Sequence, residues 1–322
     1  MKKSKRFLAM ISVLMVILLA ACGGKEETTK ESKAEEGNTE DTSYTVEHAM
    51  GTATLEKAPE KVVILTNEGT EALLALGITP VGAVQSWSPD GEWYDHIAAD
   101  MKDVQVVGTE SAVTVEAIAA LQPDLIIGNK MRQEDIYEQL DAIAPTVFAE
   151  TLRGNWQENF ELYSKAVNKE EEGQKVIGDY NDRISGLSEK LGDKLNQEIS
   201  IVRFMANDVR IYYKDSFSGV ILEQLGFARP ESQDVNDFAA LGVTPERIPE
   251  MDGDKLFYFT YADAEGKAKS AAEEWINNPL FQNLEVAKNG EVHEVSDSIW
   301  NTAGGVVAAN LMLDDIEKFF LE

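Results

Sequence analysis

The sequence predicts an α/β protein of two similar lobes, each a mostly parallel sheet covered by helices, joined by one long helix and enclosing a ligand cleft. Three observations predict it. Short, nearly all-apolar runs alternate with helical stretches, the pattern of sheets buried on both faces. One unit occurs twice: Val113-Thr114-Val115-Glu116-Ala117-Ile118 leading into Leu121-Gln122-Pro123-Asp124-Leu125-Ile126-Ile127, and Val243-Thr244-Pro245-Glu246-Arg247-Ile248 leading into Met251-Asp252-Gly253-Asp254-Lys255-Leu256-Phe257. Both copies carry V-T-x-E-x-I with an aspartate eight residues past the glutamate. Between them, from about Trp156 to Leu195, apolar side chains at Val176, Tyr180, Ile184, Leu187, Leu191 and Leu195 mark one face of a helix.

Residues 1–22 read as an export signal. Lys2, Lys3, Lys5 and Arg6 precede an apolar run from Phe7 to Leu19, too short for a comfortable membrane span. The run ends Leu19-Ala20-Ala21-Cys22-Gly23, and Cys22 is the chain's one cysteine, so no disulfide forms within the chain. That ending resembles the lipobox of bacterial lipoproteins, which implies acylation of Cys22. Residues 23–43 are almost all Lys, Glu, Thr, Ser, Gly and Asn, without apolar periodicity, a disordered tether.

The first lobe is expected over 44–154. Its strands are Val62 to Leu65, Val81 to Val84, Val104 to Val107, Leu125 to Ile127 and Thr146 to Ala149; its helices are Thr70 to Leu76, Glu92 to Met101, Val115 to Leu121 and Glu134 to Ile143. Thr114 and Thr244 stand where N-caps stand, and Glu116 and Glu246 follow in the first turn, where a carboxylate suits the helix dipole. Leu76-Gly77 and Leu225-Gly226 each close a helix with glycine. The interdomain helix takes 155–196; about 40 residues as one helix would span roughly 60 Å, enough to bridge two lobes. Gly173, Gly178, Gly186 and Gly192 weaken it and allow a bend. The second lobe, 197–322, repeats the plan with Ile199 to Met205, Val209 to Tyr213, a helix from Ser218 to Leu225, Leu256 to Phe259, Val292 to Val295 and a last helix from Gly305 to Phe320.

The formal net charge is −28, and more negative by four once the basic signal residues are removed. That excludes a nucleic-acid binder, and an anionic ligand would need a local cluster of arginines. In open parallel sheets ligands lie beyond the carboxyl ends of the strands. The candidate contacts there are Trp87, Lys130, Arg132, Arg203, Arg210, Tyr213, Tyr261, Trp300 and Asn301, a set rich in cations and aromatic faces. Arg203 lies in an otherwise apolar strand, Ser200-Ile201-Val202-Arg203-Phe204-Met205, where a cation needs an anion. Direct metal capture would need gathered ligands, whereas His48, His96 and His293 are isolated and read as surface residues. Asp215-Ser216-Phe217-Ser218-Gly219 is not a nucleophile elbow, and Gly304-Gly305 is a weak nucleotide signal.

The paired units, the single joining helix, the lipobox and the phrases Ala75-Leu76-Gly77-Ile78-Thr79-Pro80-Val81-Gly82 and Leu121-Gln122-Pro123-Asp124-Leu125-Ile126 resemble the substrate-binding proteins of bacterial ABC importers with a rigid interdomain helix. Val202-Arg203-Phe204, Val209-Arg210-Ile211-Tyr212 and Trp300-Asn301-Thr302-Ala303-Gly304-Gly305 are closest to the iron-siderophore branch of hydroxamate and citrate type. The resemblance implies a non-enzymatic, monomeric receptor without a cofactor. Its ligand would be an iron(III) chelate whose metal the protein does not touch, and its partners a permease dimer with its ATPase. Glu116 and Glu246 match glutamates that dock onto arginines of the two permease subunits. Lipid and tether would hold it on the outer face of a Gram-positive cytoplasmic membrane. A haem or cobalamin receptor of the same family, or a surface hydrolase or adhesin, are the alternatives.

Overall fold

The computed structural model describes residues 42–88, 91–261, 263 and 265–322. The expected export signal, Cys22 and all but the last two residues of the tether lie outside them. Among the described residues no helix is long and apolar enough to cross a membrane.

The described chain opens on a hairpin of β1 (Tyr44–His48) and β2 (Gly51–Leu55), whose alternation sends Val46, Ala53 and Leu55 inward. The first lobe then runs β3 (Val62–Ile64), α1 (Asn67–Ala75), β4 (Gly82–Ala83), β5 (Gln105–Val106), a hairpin of β6 (Gly108–Thr109) and β7 (Ala112–Val113), α2 (Val115–Leu121), β8 (Leu125–Asn129), α3 (Lys130–Gln133), α4 (Tyr137–Asp141) and β9 (Thr146–Ala149). Its sheet has the order β5-β4-β3-β8-β9, parallel throughout. Val62, Ile64, Leu125 and Ile127 face one apolar core, and Val63, Leu65 and Ile126 face another. A period-two split of an all-apolar run is what burial on both faces demands.

The stretch expected as one helix is two, α5 (Trp156–Ala166) and α6 (Glu170–Leu191), followed by a 3-10 turn over Gly192–Asn196. The break falls at Asn168, which adopts the left-handed region at φ 57°, and at none of the glycines. The Tyr44 hydroxyl donates to the Ala166 carbonyl at 2.9 Å and so satisfies the end of α5. Gly173 serves a different purpose: a Cβ there would lie 2.5 Å from Cβ of Ser164, so α5 and α6 approach closely because it has none. At 1.5 Å per residue α6 is about 33 Å long. Its buried residues, Gly173, Ile177, Tyr180, Ile184, Leu187 and Leu191, form one stripe.

The second lobe contains β10 (Ile199–Met205), β11 (Asp208–Tyr212), α7 (Phe217–Leu225), β12 (Ala239–Ala240), β13 (Lys255–Thr260), α8 (Lys267–Ile276), α9 (Pro279–Gln282), α10 (Glu285–Lys288), β14 (Val292–Glu294) and α11 (Val306–Leu321). Its sheet, β12-β11-β10-β13-β14, is parallel only on one side: β11 and β12 run antiparallel. Only Ala206-Asn207 separates β10 from β11, which forces a hairpin, since a parallel crossover takes a dozen residues or more. The lobes therefore share a plan only in part.

Three local expectations are corrected. Residues from Glu92 to Met101 form successive turns, with Ile97 N donating to Tyr94 O and Asp100 N to Ile97 O, because burial of Trp93, Tyr94, Ile97 and Met101 fixes the path. Thr114 and Thr244 do occupy N-cap positions, but neither side chain accepts a helix N–H. The second repeat is a 3-10 helix over Pro245–Met251, with Pro249 removing one donor from within it. Gly77 and Gly226 stand at φ 72° and 92° after their helices, the left-handed closure expected of glycine there.

The two kinds of helical glycine separate in a stability measurement. Gly178 and Gly186 meet nothing within 4 Å of a built Cβ, so Gly178→Ala is expected to stabilise by roughly 0.5–1 kcal/mol. Gly173→Ala, which drives α5 from α6, is expected to cost about 1–3 kcal/mol. Urea midpoints moving in the same direction for both would contradict the close approach.

Candidate ligand-binding site

The carboxyl ends of both sheets open into one cavity of about 480 Å³. The first lobe lines it with Glu68 at the start of α1, Trp87 after β4, Glu110 in the β6–β7 turn, Met131 and Arg132 on α3, and Leu152 and Arg153 after β9. Across from them stand Arg203, Met205, Arg210 and Tyr212 of β10 and β11, Phe217, Phe238 and Leu241, then Tyr261 and the segment Asn301–Gly304.

Gln133 joins the loops of the first wall. Its Nε2 donates to the carbonyls of Glu110 at 2.8 Å and Leu65 at 3.3 Å, while its Oε1 accepts Asn129 N at 2.8 Å. Burying one amide with three backbone partners fixes α3, and so Arg132, relative to the neighbouring loops. Glu110 accepts Asn67 N at 2.7 Å and Asn67 Nδ2 at 2.8 Å through Oε1, and Trp87 Nε1 at 3.4 Å through Oε2, which orients the indole on the wall.

Four guanidinium groups reach the cavity with unequal freedom. Arg203 and Arg210 are directly opposed in the β10–β11 register, an arrangement of like charges that costs energy unless each is compensated. Each is: Arg203 Nε lies 2.8 Å from Asp297 Oδ1 and its Nη2 donates to Oδ2 at 2.8 Å, while Arg210 Nε donates to Asp208 Oδ2 at 2.8 Å. Both Arg203 and Asp297 are under 10% exposed. Burial works against the Arg203 cation, but Asp297 outweighs it and holds its pKa above the ordinary value; burial raises that of Asp297, with Arg203 pulling it back. The anion that Arg203 needs is thus internal. Arg203 also sits 5.2 Å over the Tyr261 ring. Arg153, which the sequence reading passed over, is only loosely held, 3.8 Å from Asp215 and 5.2 Å over the Phe238 ring. Among the described residues Arg132 pairs with no carboxylate.

Trp87, Arg132, Arg203, Arg210, Tyr261 and Asn301 are brought together as expected on one cavity; three candidates are not. Lys130 turns away to Glu150 at 2.8 Å. Tyr213 packs on the outer core of the second lobe, because side chains alternate along the strand and Tyr212 takes the cleft side. Trp300 is buried in the shared core, 4.7 Å from Phe257, with Nε1 donating to Asp315 Oδ2 at 2.9 Å. It lies in a π-helical segment, Ser298–Thr302, whose next residue, Asn301, reaches the cleft. The three histidines are apart from one another but half-buried and bonded: His48 accepts Phe148 N at 3.2 Å, His96 meets Glu71 at 2.6 Å and His293 meets Glu291 at 3.0 Å. Among the described residues no three His, Cys, Asp or Glu gather to hold a metal.

Glu68 forms the floor. Its Oε1 accepts Asn159 Nδ2 at 2.7 Å and the Tyr163 hydroxyl at 2.9 Å, and burial pushes its carboxyl well above the usual carboxylate range.

Removing Arg203 leaves Asp297 buried and unpaired. Arg203→Ala is therefore expected to cost about 3–5 kcal/mol in stability, and Arg203→Ala with Asp297→Ala distinctly less than the sum of the single changes, as denaturant unfolding would show. A single mutant as stable as the parent would dispose of the internal pair.

The periplasmic binding protein family model matches residues 62–298. A probable siderophore-binding lipoprotein of Bacillus subtilis is 51% identical, with 99% of each chain covered. The Fe(3+)-citrate-binding protein of the same organism is 28% identical over 98% of this chain and 97% of its own. Among solved structures, Staphylococcus aureus SirA complexed with staphyloferrin B matches with a TM-score of 0.80 and 32% identity, over 85% of this chain and 97% of that one.

Proposed function

The chain belongs to the periplasmic binding protein family, and on that premise we propose that it is the substrate-binding receptor of an ABC importer, capturing a ferric siderophore in the cleft and delivering it to a membrane permease. It is a binding protein and not an enzyme. The observation that carries the ligand class is the set of guanidinium groups in a chain of net charge −28, above all Arg132, whose charge nothing in the described protein answers. Guanidinium forks suit the planar oxygen edges of carboxylates and hydroxamates, and the faces of Trp87, Phe238 and Tyr261 suit the carbon frame of a chelator. The iron stays wrapped in siderophore oxygens, and the protein meets the outside of the chelate. In this reading Arg132 and Arg153 take the ligand's charge, Arg210 shares its own between Asp208 and the ligand, and Arg203 holds the wall and Tyr261 in place.

Cys22 carries the lipid, residues 23–43 are the tether, and the two lobes stand as a monomer on the outer face of the cytoplasmic membrane. Glu116 and Glu246 are exposed at the first turns of their helices. Thr244 and the backbone N–H of Glu246 hold the Glu246 carboxyl below the usual range. One carboxylate per lobe matches one basic patch per subunit of a permease dimer.

Titration with ferric citrate, a ferric hydroxamate, haem and cobalamin, followed by tryptophan quenching, tests the ligand class. Saturation by the ferric chelates is expected. Arg132→Ala should weaken it by about 1.5–3 kcal/mol, the worth of a charge-assisted hydrogen bond, without moving the melting temperature. Binding of haem or cobalamin alone would remove the siderophore reading.

Delivery is tested separately. Glu116→Ala with Glu246→Ala is expected to leave ligand affinity intact and abolish uptake, and reversal of both to arginine to be worse, since like charges then meet. If each glutamate only steadies its own helix, a term of roughly 0.3–1 kcal/mol, uptake of radioactive iron persists in the double mutant.

A further inference from the structure

Taking the cleft as a siderophore site, on which this step rests, we propose that Glu68 is a neutral carboxylic acid at physiological pH and donates its Oε2 hydrogen to an anionic oxygen of the ligand, so that capture is coupled to a proton.

Three carboxyl groups, Glu68, Glu71 and Glu110, lie beside the cleft floor, none more than 6% exposed. Their surroundings differ. Glu110 receives three N–H donors spread over both oxygens. Glu71 meets His96 Nε2 at 2.6 Å through Oε1 and accepts Ala308 N at 2.9 Å through Oε2. In both, each oxygen is engaged by a nitrogen. At Glu68 both donors, Asn159 Nδ2 and the Tyr163 hydroxyl, converge on Oε1, and Oε2 has no hydrogen-bond partner among the described residues. An ion there would carry half its charge on an oxygen to which no described protein group donates, beside two other carboxyl groups. Glu68 forms no ion pair among the described residues, and of the four guanidinium groups on the same cavity Arg203, Arg210 and Arg153 meet other carboxylates and Arg132 meets none. The groups that face it are Tyr163 and Asn159 of α5, Glu110 of the β6–β7 turn, and Glu71 of α1 with His96 behind it. A carboxylic acid fits this site. Oε1 is then the carbonyl oxygen, which accepts twice, and Oε2–H is a donor on a side chain that lines the cavity. Desolvation, the largest effect, favours the neutral form, as do the neighbouring Glu110 and Glu71, and together they outweigh the Tyr163 and Asn159 hydrogen bonds, which favour the ion.

The consequence for the ligand is a matter of sign. A protonated Glu68 lets an anionic chelate settle on the floor through a hydrogen bond, and an ionised one places a like charge beneath it. Affinity therefore falls as pH rises through the value at which Glu68 ionises. For stability, the unfolded chain titrates Glu68 near the ordinary carboxylate value of about 4.3, and the folded chain higher. Folding takes up a proton between the two, so the wild-type protein loses stability relative to a neutral variant as pH rises through that window.

Glu68→Gln is that variant, since its amide keeps an oxygen for Asn159 and Tyr163 and an N–H for the cleft. Without ligand, the melting temperature of Glu68→Gln minus that of wild type is expected to grow as pH rises above about 4.3. A difference independent of pH overturns the protonated state. Should the variant fold poorly, the infrared spectrum of the unliganded wild type at neutral pH decides the same point. A protonated-carboxyl C=O band that shifts in D2O is expected, and its absence overturns the proposal. With ferric citrate and a ferric hydroxamate as probes, the ratio of wild-type to Glu68→Gln Kd is expected to climb by up to about tenfold per pH unit once Glu68 ionises. A flat ratio with the melting signature present overturns the donor role. Failure of the wild type to bind either probe overturns the cleft reading and the coupling with it, but leaves the melting and infrared signatures in place.

Discussion

The apolar stripe of α6 packs against α5, α7 and α11, and α5 and α11 in turn pack on α1 of the first lobe. Tyr180 meets Trp156 edge-on at 4.9 Å, Trp156 meets Phe217 of the second lobe at 6.3 Å, and Leu187 and Leu191 belong to the same core as Phe257 and Phe320. That core continues into Ile64, Leu125 and Ile127 of the first sheet and Ile199, Ile201 and Phe259 of the second. Polar bonds flank it: the Tyr180 hydroxyl donates to Gln224 at 2.8 Å, Gln224 to Gln157 at 2.7 Å, and Arg183 of α6 to the Asn310 carbonyl of α11 at 2.9 Å. Because the walls of the cleft hang on one core and not on two, their separation is set by packing. A close-packed interior resists deformation, so the two walls, and the backbone positions from which their arginines project, are set before any ligand arrives.

Charge in the cleft is organised by what each arginine already owns. At physiological ionic strength, fields between exposed charges fade over about 8 Å, so the acidity of the whole chain matters less to a ligand in the cavity than the groups lining it. There Arg203 is committed to Asp297, Arg210 partly to Asp208, Arg153 loosely to Asp215, and Arg132 to nothing described. A buried cation paired internally contributes little new attraction, since its field is largely cancelled at close range. The exposed Met131 and Leu241, one from each lobe, add an apolar rim to this polar interior.

Much of this was legible in sequence, and the failures have identifiable causes. Runs such as Thr146 to Ala149 and Val115 to Leu121 were read to the residue, because strand and helix periods are local properties. Side alternation along a strand is local too: Tyr212, two residues from Arg210, shares its side and lines the cleft, and Tyr213 faces the other way. Trp300 differs, since the π-helical segment that turns it inward has no sequence signature. Asp297, 94 residues from Arg203, supplies the anion that the strand pattern demanded but could not locate. The parallel plan of the first lobe was extended to the second, although the two-residue link at Ala206-Asn207 already required a hairpin. Arg153 was missed because it follows a strand by four residues, beyond the positions first considered.

The contact between the lobes also limits what closure can consist of. Gly305 lies so close to α1 that a Cβ would stand 2.7 Å from that of Glu71 and 2.9 Å from the Glu68 carbonyl oxygen. Immediately beyond it Glu71 accepts the Ala308 N–H, a lobe-to-lobe bond that caps α11. A large hinge motion would part this contact, strip the cap and open the core along α6, each step exposing buried polar or apolar surface. Motion at the rim exposes neither. Arg132 is unpaired and exposed, Arg153 has a long ion pair to exchange, and Leu241 follows a two-residue edge strand. Adjustment to a ligand is therefore confined to the arginines and apolar side chains of the rim. The base of the cavity, where Glu68 accepts from Asn159 and Tyr163, has no such freedom and stays as folding leaves it.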